Sequence, residues 1–402
     1  MRGSARYQTS LKALCVSRKL VSLVLLCSTV LIVATVATPA HSRPRAPQQA
    51  KPTGANPIPE PAVPAILAAF EKYEVVGMMA AHSLKDLDDF ILTLIRTPAF
   101  SERVNDIVVE CGNSMYQPIL DRYIAGEDVP FAEVRKVWRN TTQPMCGKSG
   151  FYEQFFPLVR AINQKVPPAH RLRVLAGDPP IDWDQIKKPE GGKPLDRDAS
   201  IVAVMEKEVL SKHRKALMLF GTFHLMHGVG AESAMSIYEK NYPNLTFVIS
   251  DLQSFDTGPF ATWPVPSLAV AKGTWLGALG LGRFIPPYLT VDKDCNLQGD
   301  YSSEYQKPVS DLVDALLYLG PRDLMLKEPV PGDIVLDADY MTEYARRANL
   351  IGFRGPMGGD LNEFYQQIVK GAENSLYVLP TPLDPKPMVE HCMEQKKQRQ
   401  RP

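Results

Sequence analysis

The sequence predicts an α/β protein with a central, mostly parallel sheet flanked by helices. Three observations predict it. Four short apolar runs, Glu74 to Ala81, Asp106 to Val109, Leu172 to Gly177 and Ala216 to Phe223, have the length and composition of strands buried on both faces. Each is followed by an amphipathic helical stretch, the alternation that parallel crossovers require. Each also ends at a residue able to do chemistry: His82, Glu110, Asp178 and His224. Parallel strands share one C-terminal edge, where open α/β sheets bind ligands, so these four are expected in one crevice.

Along the chain, Arg2, Arg6, Lys12, Arg18 and Lys19 precede the uncharged apolar segment Leu20 to Ala37, and Ala40-His41-Ser42 offers small residues for cleavage. Residues 1–42 therefore read as an export signal. The alternative is an uncleaved anchor through residues 20–37, at the lower length limit for a bilayer span. Either way the expected location is periplasmic or extracellular. Residues 43–64 contain Pro44, Pro47, Pro52, Pro57, Pro59, Pro61 and Pro64, which favours an extended linker. A single α/β domain is expected over 65–380, with an insertion at 254–310 and a flexible basic tail at 381–402.

Within the domain a short helix leads to Lys72. Ser83 to Thr97 then places Leu84, Leu87, Phe90, Ile91, Leu94 and Ile95 at helical spacing, with Ser83 as N-cap. Helices over Ser114 to Ile124, Phe131 to Trp138 and Phe151 to Gln164 are expected to form a layer between the second and third strands. Pro179 and Pro180 end the third strand. A helix from Arg197 to His213 precedes the fourth strand, and another over Ala231 to Lys240 precedes a strand over Thr246 to Ser250. Residues 254–310 lose all period among prolines and glycines and read as an insertion or lid. Val313 to Gly320 reads as the last core strand.

With 45% hydrophobic and 22% charged residues, the chain of 402 residues has the composition of a globular protein with a sizeable core. Removing residues 1–42 leaves a formal charge of −4, which gives no electrostatic case for nucleic acid. Outside the signal stand Cys111, Cys146, Cys295 and Cys392, whose wide spacing leaves disulfide connectivity open. Cys111 reads as an inert buried thiol rather than a nucleophile. There is no Gly-x-Ser-x-Gly elbow, and neither Gly277-x-x-Gly280-x-Gly282 nor Gly352 to Gly359 fits a nucleotide-binding loop.

The candidate site centres on Phe220-Gly221-Thr222-Phe223-His224-Leu225-Met226-His227. Two histidines three apart share a face if the chain turns helical there. His82, Glu110, His224 and His227 then supply enough ligands for a divalent ion with an open position. The metal-free alternative uses an imidazole as general base with Glu110 setting its tautomer. Asp88 and Asp178 stand as secondary members.

With these residues assembled, the chain resembles the erythromycin-esterase, ChaN-like and TraB/Tiki superfamily over about residues 70–320. The matching features are the strand ending in His82, Val108-Val109-Glu110-Cys111-Gly112, the Phe-Gly-Thr-Phe-His motif ending at His224, and the late strand Asp314-Ala-Leu-Leu-Tyr-Leu. Members usually carry Gly-Glu-x-His at the first strand and a second His on the next helix. Here the first element reads Met79-Ala80-Ala81-His82, and Asp88 stands near the second position. The resemblance implies an exported hydrolase cleaving an ester, amide or peptide bond, with His82, Glu110 and His224 catalytic. Its alternative is a non-enzymatic ChaN-like protein holding haem or another planar ligand. Expected partners are a small-molecule or peptide substrate or haem, and a membrane only if residues 20–37 are retained.

Overall fold

The computed structural model describes residues 54–80, 82, 84–186, 196–228, 233–253, 258–284, 289–291, 294–299, 306–350, 366 and 386–399. The expected signal segment, most of the linker, and Ser83 lie outside the described residues. No helix among the described residues is long and apolar enough to cross a membrane.

The strands are β1 (Glu60–Pro61), β2 (Val75–Met79), β3 (Asp106–Asn113), β4 (Arg173–Asp178), β5 (Ala216–Phe220), β6 (Thr246–Asp251), β7 (Ser267–Val270), β8 (Leu289–Val291), β9 (Leu297–Gly299) and β10 (Ala315–Tyr318). Eight of them form one sheet in the order β1-β7-β10-β6-β2-β5-β3-β4. The six from β10 to β4 are mutually parallel, while β7 is antiparallel to β10 and to β1. β8 and β9 pair separately as an antiparallel hairpin.

The apolar runs become central strands because both faces are covered. Val76 and Met78 of β2, Ile107 and Val109 of β3, and Leu217 and Leu219 of β5 enter one core. Their neighbours Val75, Met79, Val108, Met218 and Phe220 enter the other. This period of two divides every strand between two helical layers. The first core takes α1 (Ala62–Lys72), α2 (Lys85–Arg96), α3 (Pro98–Arg103), α4 (Gln117–Ala125), α5 (Phe131–Arg139), α6 (Pro144–Gly147) and α7 (Phe151–Asn163). The second takes α8 (Arg197–Glu208) and α9 (Ala234–Tyr238).

Two local features position the site. β3 holds two extra residues against β4 between the pairs Val109–Ala176 and Asn113–Asp178, an irregularity at Glu110 to Gly112 that re-aims side chains at the strand end. Gly112 is required there, since a Cβ would stand 2.7 Å from the Ala176 Cα. At the outer edge of β4, the Gln117 side chain replaces a missing strand: its amide donates to Val174 O and accepts from Ala176 N, both at 2.8 Å.

Several expectations differ from the structure. The described residues of 254–310 include three strands, with β7 inserted in the main sheet between β1 and β10 and β8–β9 forming a hairpin. The segment that lines the pocket comes instead from Glu328, beyond the last strand. In the expected flexible tail, Lys386–Arg399 is a helix joined to the hairpin region by the Cys295–Cys392 disulfide. The N-cap position of α2 is Leu84, which has no capping side chain.

Candidate functional site

The site is assembled from the C-terminal ends of β2, β5, β3 and β4, which are adjacent in the sheet. His82 follows β2, Glu110 lies at the β3 irregularity, His224 ends the short 3-10 turn after β5, and Asp178 ends β4. Glu110 is the hub and is 4% exposed. Its Oε2 stands 3.7 Å from His82 Nε2, and its Oε1 stands 3.7 Å from His224 Nε2. Oε2 also accepts the Gly221 backbone N–H at 2.6 Å, and Oε1 accepts Arg197 at 2.8 Å. Gly221 admits this approach because a Cβ there would lie 3.1 Å from Oε2.

Burial acts to raise the Glu110 pKa. Proximity to His82, Arg197 and His224 outweighs it and holds the carboxyl well below its usual range, so Glu110 is ionised. Asp178 has a different task. Its Oδ1 accepts Arg197 Nε at 2.7 Å, and its Oδ2 accepts both the backbone N–H and the hydroxyl of Thr142 at 2.7 Å. With these bonds made, Asp178 orients Arg197 rather than facing a ligand.

His224 is oriented from behind: its Nδ1 meets Asp198 Oδ1 at 2.8 Å, and the same oxygen accepts the Ala234 N–H at 2.7 Å. That contact leaves His224 Nε2 directed at Glu110. His227 stands elsewhere. The chain makes a 3-10 turn over Thr222–His224 and does not continue as an α-helix, so the two rings do not share a face. His227 Nδ1 lies 3.0 Å from Glu239 and its Nε2 lies 2.9 Å from Asp314.

A small pocket opens beside the hub, lined by His82, Glu110, Asp88, Cys111, Tyr152 and Glu328 among others. Asp88 comes from the first turn of α2, and its Oδ2 is buried without a hydrogen-bond partner. Burial and the nearby Glu328 and Asp89 carboxylates push its pKa up to about 9. Glu328 is raised as well, chiefly by burial. Its Oε1 accepts the Ser149 hydroxyl at 3.1 Å and the Phe151 backbone N–H, which fastens the chain after β10 to the start of α7. Ala80 lines the same pocket.

His82, Glu110 and His224 do not bring three ligand atoms within 4.8 Å of one another, and His227 is not at the hub. Both Glu110 oxygens already receive N–H donors, one of them cationic, and His227 has a carboxylate at each ring nitrogen. Among the described residues, the one set of three metal-ligating atoms within 4.8 Å of one another belongs to His82, Cys111 and Cys146. The two cysteines are joined as a disulfide.

Sequence reasoning missed Arg197, Asp198, Thr142 and Glu328. Arg197 and Asp198 open a helix and Glu328 follows a strand after a short turn, so none stands directly at the end of an apolar run. The motif Asp196-Arg197-Asp198, with a cation between two acids at a helix start, was the available signal.

These features define a mostly parallel α/β protein with a His/Glu hub at its C-terminal strand edge. No protein-family model matches the chain, and no curated protein matches its sequence. Similar solved structures include a protein from Bacillus cereus at 10% identity and TM-score 0.42, covering 66% of this chain and 94% of that one. A succinoglycan biosynthesis protein matches at 8% identity and TM-score 0.44, with the same coverages of 66% and 94%. ChaN of Campylobacter jejuni, described as binding haem cofacially, matches at 12% identity and TM-score 0.31, covering 47% of this chain and 85% of that one. Likeness at this level transfers neither ligand nor activity.

Proposed function

We propose that this chain is an exported, metal-independent hydrolase of an ester, amide or peptide bond, with His82 as general base, Glu110 as its partner and Asp88 as proton donor. The observation that carries this reading is a pair of carboxyl groups in one pocket whose environments push them in opposite directions: Glu110 is held ionised and Asp88 is held protonated. Such divergence is how one site supplies base and acid at the same pH.

In this reading His82 Nε2 faces Glu110, which leaves Nδ1 to take a proton from an attacking water. Glu110 stabilises the imidazolium that forms. Arg197, the Gly221 N–H and the Asp198-oriented His224 keep Glu110 in place and charged. Asp88 then protonates the leaving group, taking the acidic part that the resemblance assigns to a Glu at the position where Ala80 stands. The two disulfides support an oxidising compartment, in keeping with an export signal over residues 1–42.

The test is a panel of alkyl esters, anilides and short peptides with the full chain and with His82→Ala, Glu110→Gln and Asp88→Asn. Each substitution should lower kcat/KM by about 10²–10⁴-fold. The wild-type profile should fall on the alkaline side near pH 9, and that limb should vanish in Asp88→Asn. Turnover untouched by His82→Ala would sink the assignment. A Soret band formed on titration with haemin and lost in His82→Ala would replace it with the haem-binding reading.

A further inference from the structure

The Cys111–Cys146 disulfide sits at the wall of the pocket, with Cys111 immediately after Glu110 in β3 and Cys146 in the four-residue helix α6. His82 presents a ring nitrogen within 4.8 Å of both sulfurs. In the oxidised chain this group holds no cation, since neither sulfur can become a thiolate. We propose that two-electron reduction of Cys111–Cys146 turns this corner into a binding site for a thiophilic divalent cation such as Zn²⁺, ligated by Cys111 Sγ, Cys146 Sγ and a His82 ring nitrogen.

The chemistry balances with a dithiol as reductant. Thiol–disulfide exchange transfers two electrons and two protons to the cysteines, and the dithiol leaves as a cyclic disulfide. Binding of the cation then displaces the two thiol protons to solvent, giving two metal–thiolate bonds. Two sulfurs and one imidazole are three of the four ligands that a tetrahedral zinc ion takes, and the pocket supplies room for water in the fourth position.

The geometry needs little rearrangement. The cysteine Cα atoms are 5.4 Å apart. Metal–sulfur bonds of about 2.3 Å set the two sulfurs roughly 3.8 Å apart, within the travel of two side-chain rotations. Cys111 is fixed by the sheet, and the α6 helix is held by Tyr344, whose hydroxyl donates to Pro144 O at 3.0 Å. The partly exposed His82 ring, at 30%, is the adjustable member. The Cys295–Cys392 disulfide is an internal control, because no histidine or carboxylate completes such a group beside it among the described residues. The site depends on these ligands alone and stands whether or not the hydrolase reading holds.

The experiment is Co²⁺ titration of the full chain, oxidised and phosphine-reduced, read by the sulfur-to-cobalt charge-transfer band, with Zn²⁺ as the displacing ion. The reduced chain should bind one Co²⁺ with that band and the oxidised chain none. Cys146→Ser should abolish the band, Cys295→Ser should leave it, and His82→Ala should weaken binding at least tenfold. If Cys146→Ser fails to fold, alkylating the reduced wild-type thiols should block binding equally. Equal binding by oxidised protein, no binding by reduced protein, or a band that survives Cys146→Ser or is indifferent to His82→Ala would each overturn the site.

Discussion

A guanidinium lodged between two buried carboxylates cannot be made neutral without stranding both. Arg197 reaches Glu110 and Asp178, which are 4% and 1% exposed, and their charges raise its own pKa against the effect of burial. Arg197→Met should therefore lower stability by about 3–5 kcal/mol in urea unfolding. An unchanged midpoint would show that Glu110 does not depend on this cation. His227 gives a pH-dependent counterpart. Burial acts to lower its pKa, but Asp314 and Glu239 raise it to about 9. The folded chain thus keeps a proton that the unfolded chain releases near pH 6.5. Its contribution is complete below pH 6.5 and is lost as pH rises through about 9. His227→Asn should cost about 2 kcal/mol at pH 6 and far less at pH 10, which melting at the two pH values would read. A cost that does not change with pH would mean that His227 acts as a neutral packing residue. His82, Glu110 and His224 could be picked out because each terminates an apolar run. The displacement of His227 could not, since it follows a 3-10 turn and its ring meets Glu239 and Asp314, which lie 12 and 87 positions further along the chain.

At the level of elements, a side chain does the work of a strand. Gln117 occupies the exposed edge of β4 and closes two backbone bonds there, at Val174 O and Ala176 N. Gln117→Ala should leave both groups without a partner and open the edge. The expected result is a loss of about 1–3 kcal/mol, faster amide exchange at Ala176, and more association at high concentration. Unchanged exchange at Ala176 would show that water replaces the amide at no cost. The six parallel strands were readable because burial on both faces forces continuous apolar runs such as Ala216–Phe220. β7 was not, because Ser267–Val270 is four residues long and lies in a proline-rich stretch whose strand character comes from pairing with β10. The β3 irregularity was also hidden. Gly112 looks like any strand-end glycine until its contact with Ala176 is known.

For the whole molecule, the two disulfides separate loop length from cooperative structure. Cys111–Cys146 closes 35 residues of sequence separation and Cys295–Cys392 closes 97. Chain entropy alone ranks the second as the more stabilising, at about 5 against about 4 kcal/mol. Their surroundings argue the reverse. Cys111 and Cys146 are 2% and 0% exposed and join the central sheet to the helical layer, so the elements they cross-link come apart only in global unfolding, where the closed loop restricts the unfolded chain. Cys392 lies on the helix Lys386–Arg399, where Met393 is 53% exposed and Lys396 pairs with Asp294 at the surface. With so few buried contacts, that helix is expected to open before the sheet unfolds, and a cross-link to a segment already open adds little to the main transition. Cys392→Ser should therefore change the global stability measured by urea unfolding by less than about 1 kcal/mol while amide protection over 386–399 is lost. Cys146→Ser should lower global stability by about 2–4 kcal/mol. The opposite order would mean that the terminal helix unfolds together with the sheet, and the domain would then extend as one cooperative unit to the end of the described chain.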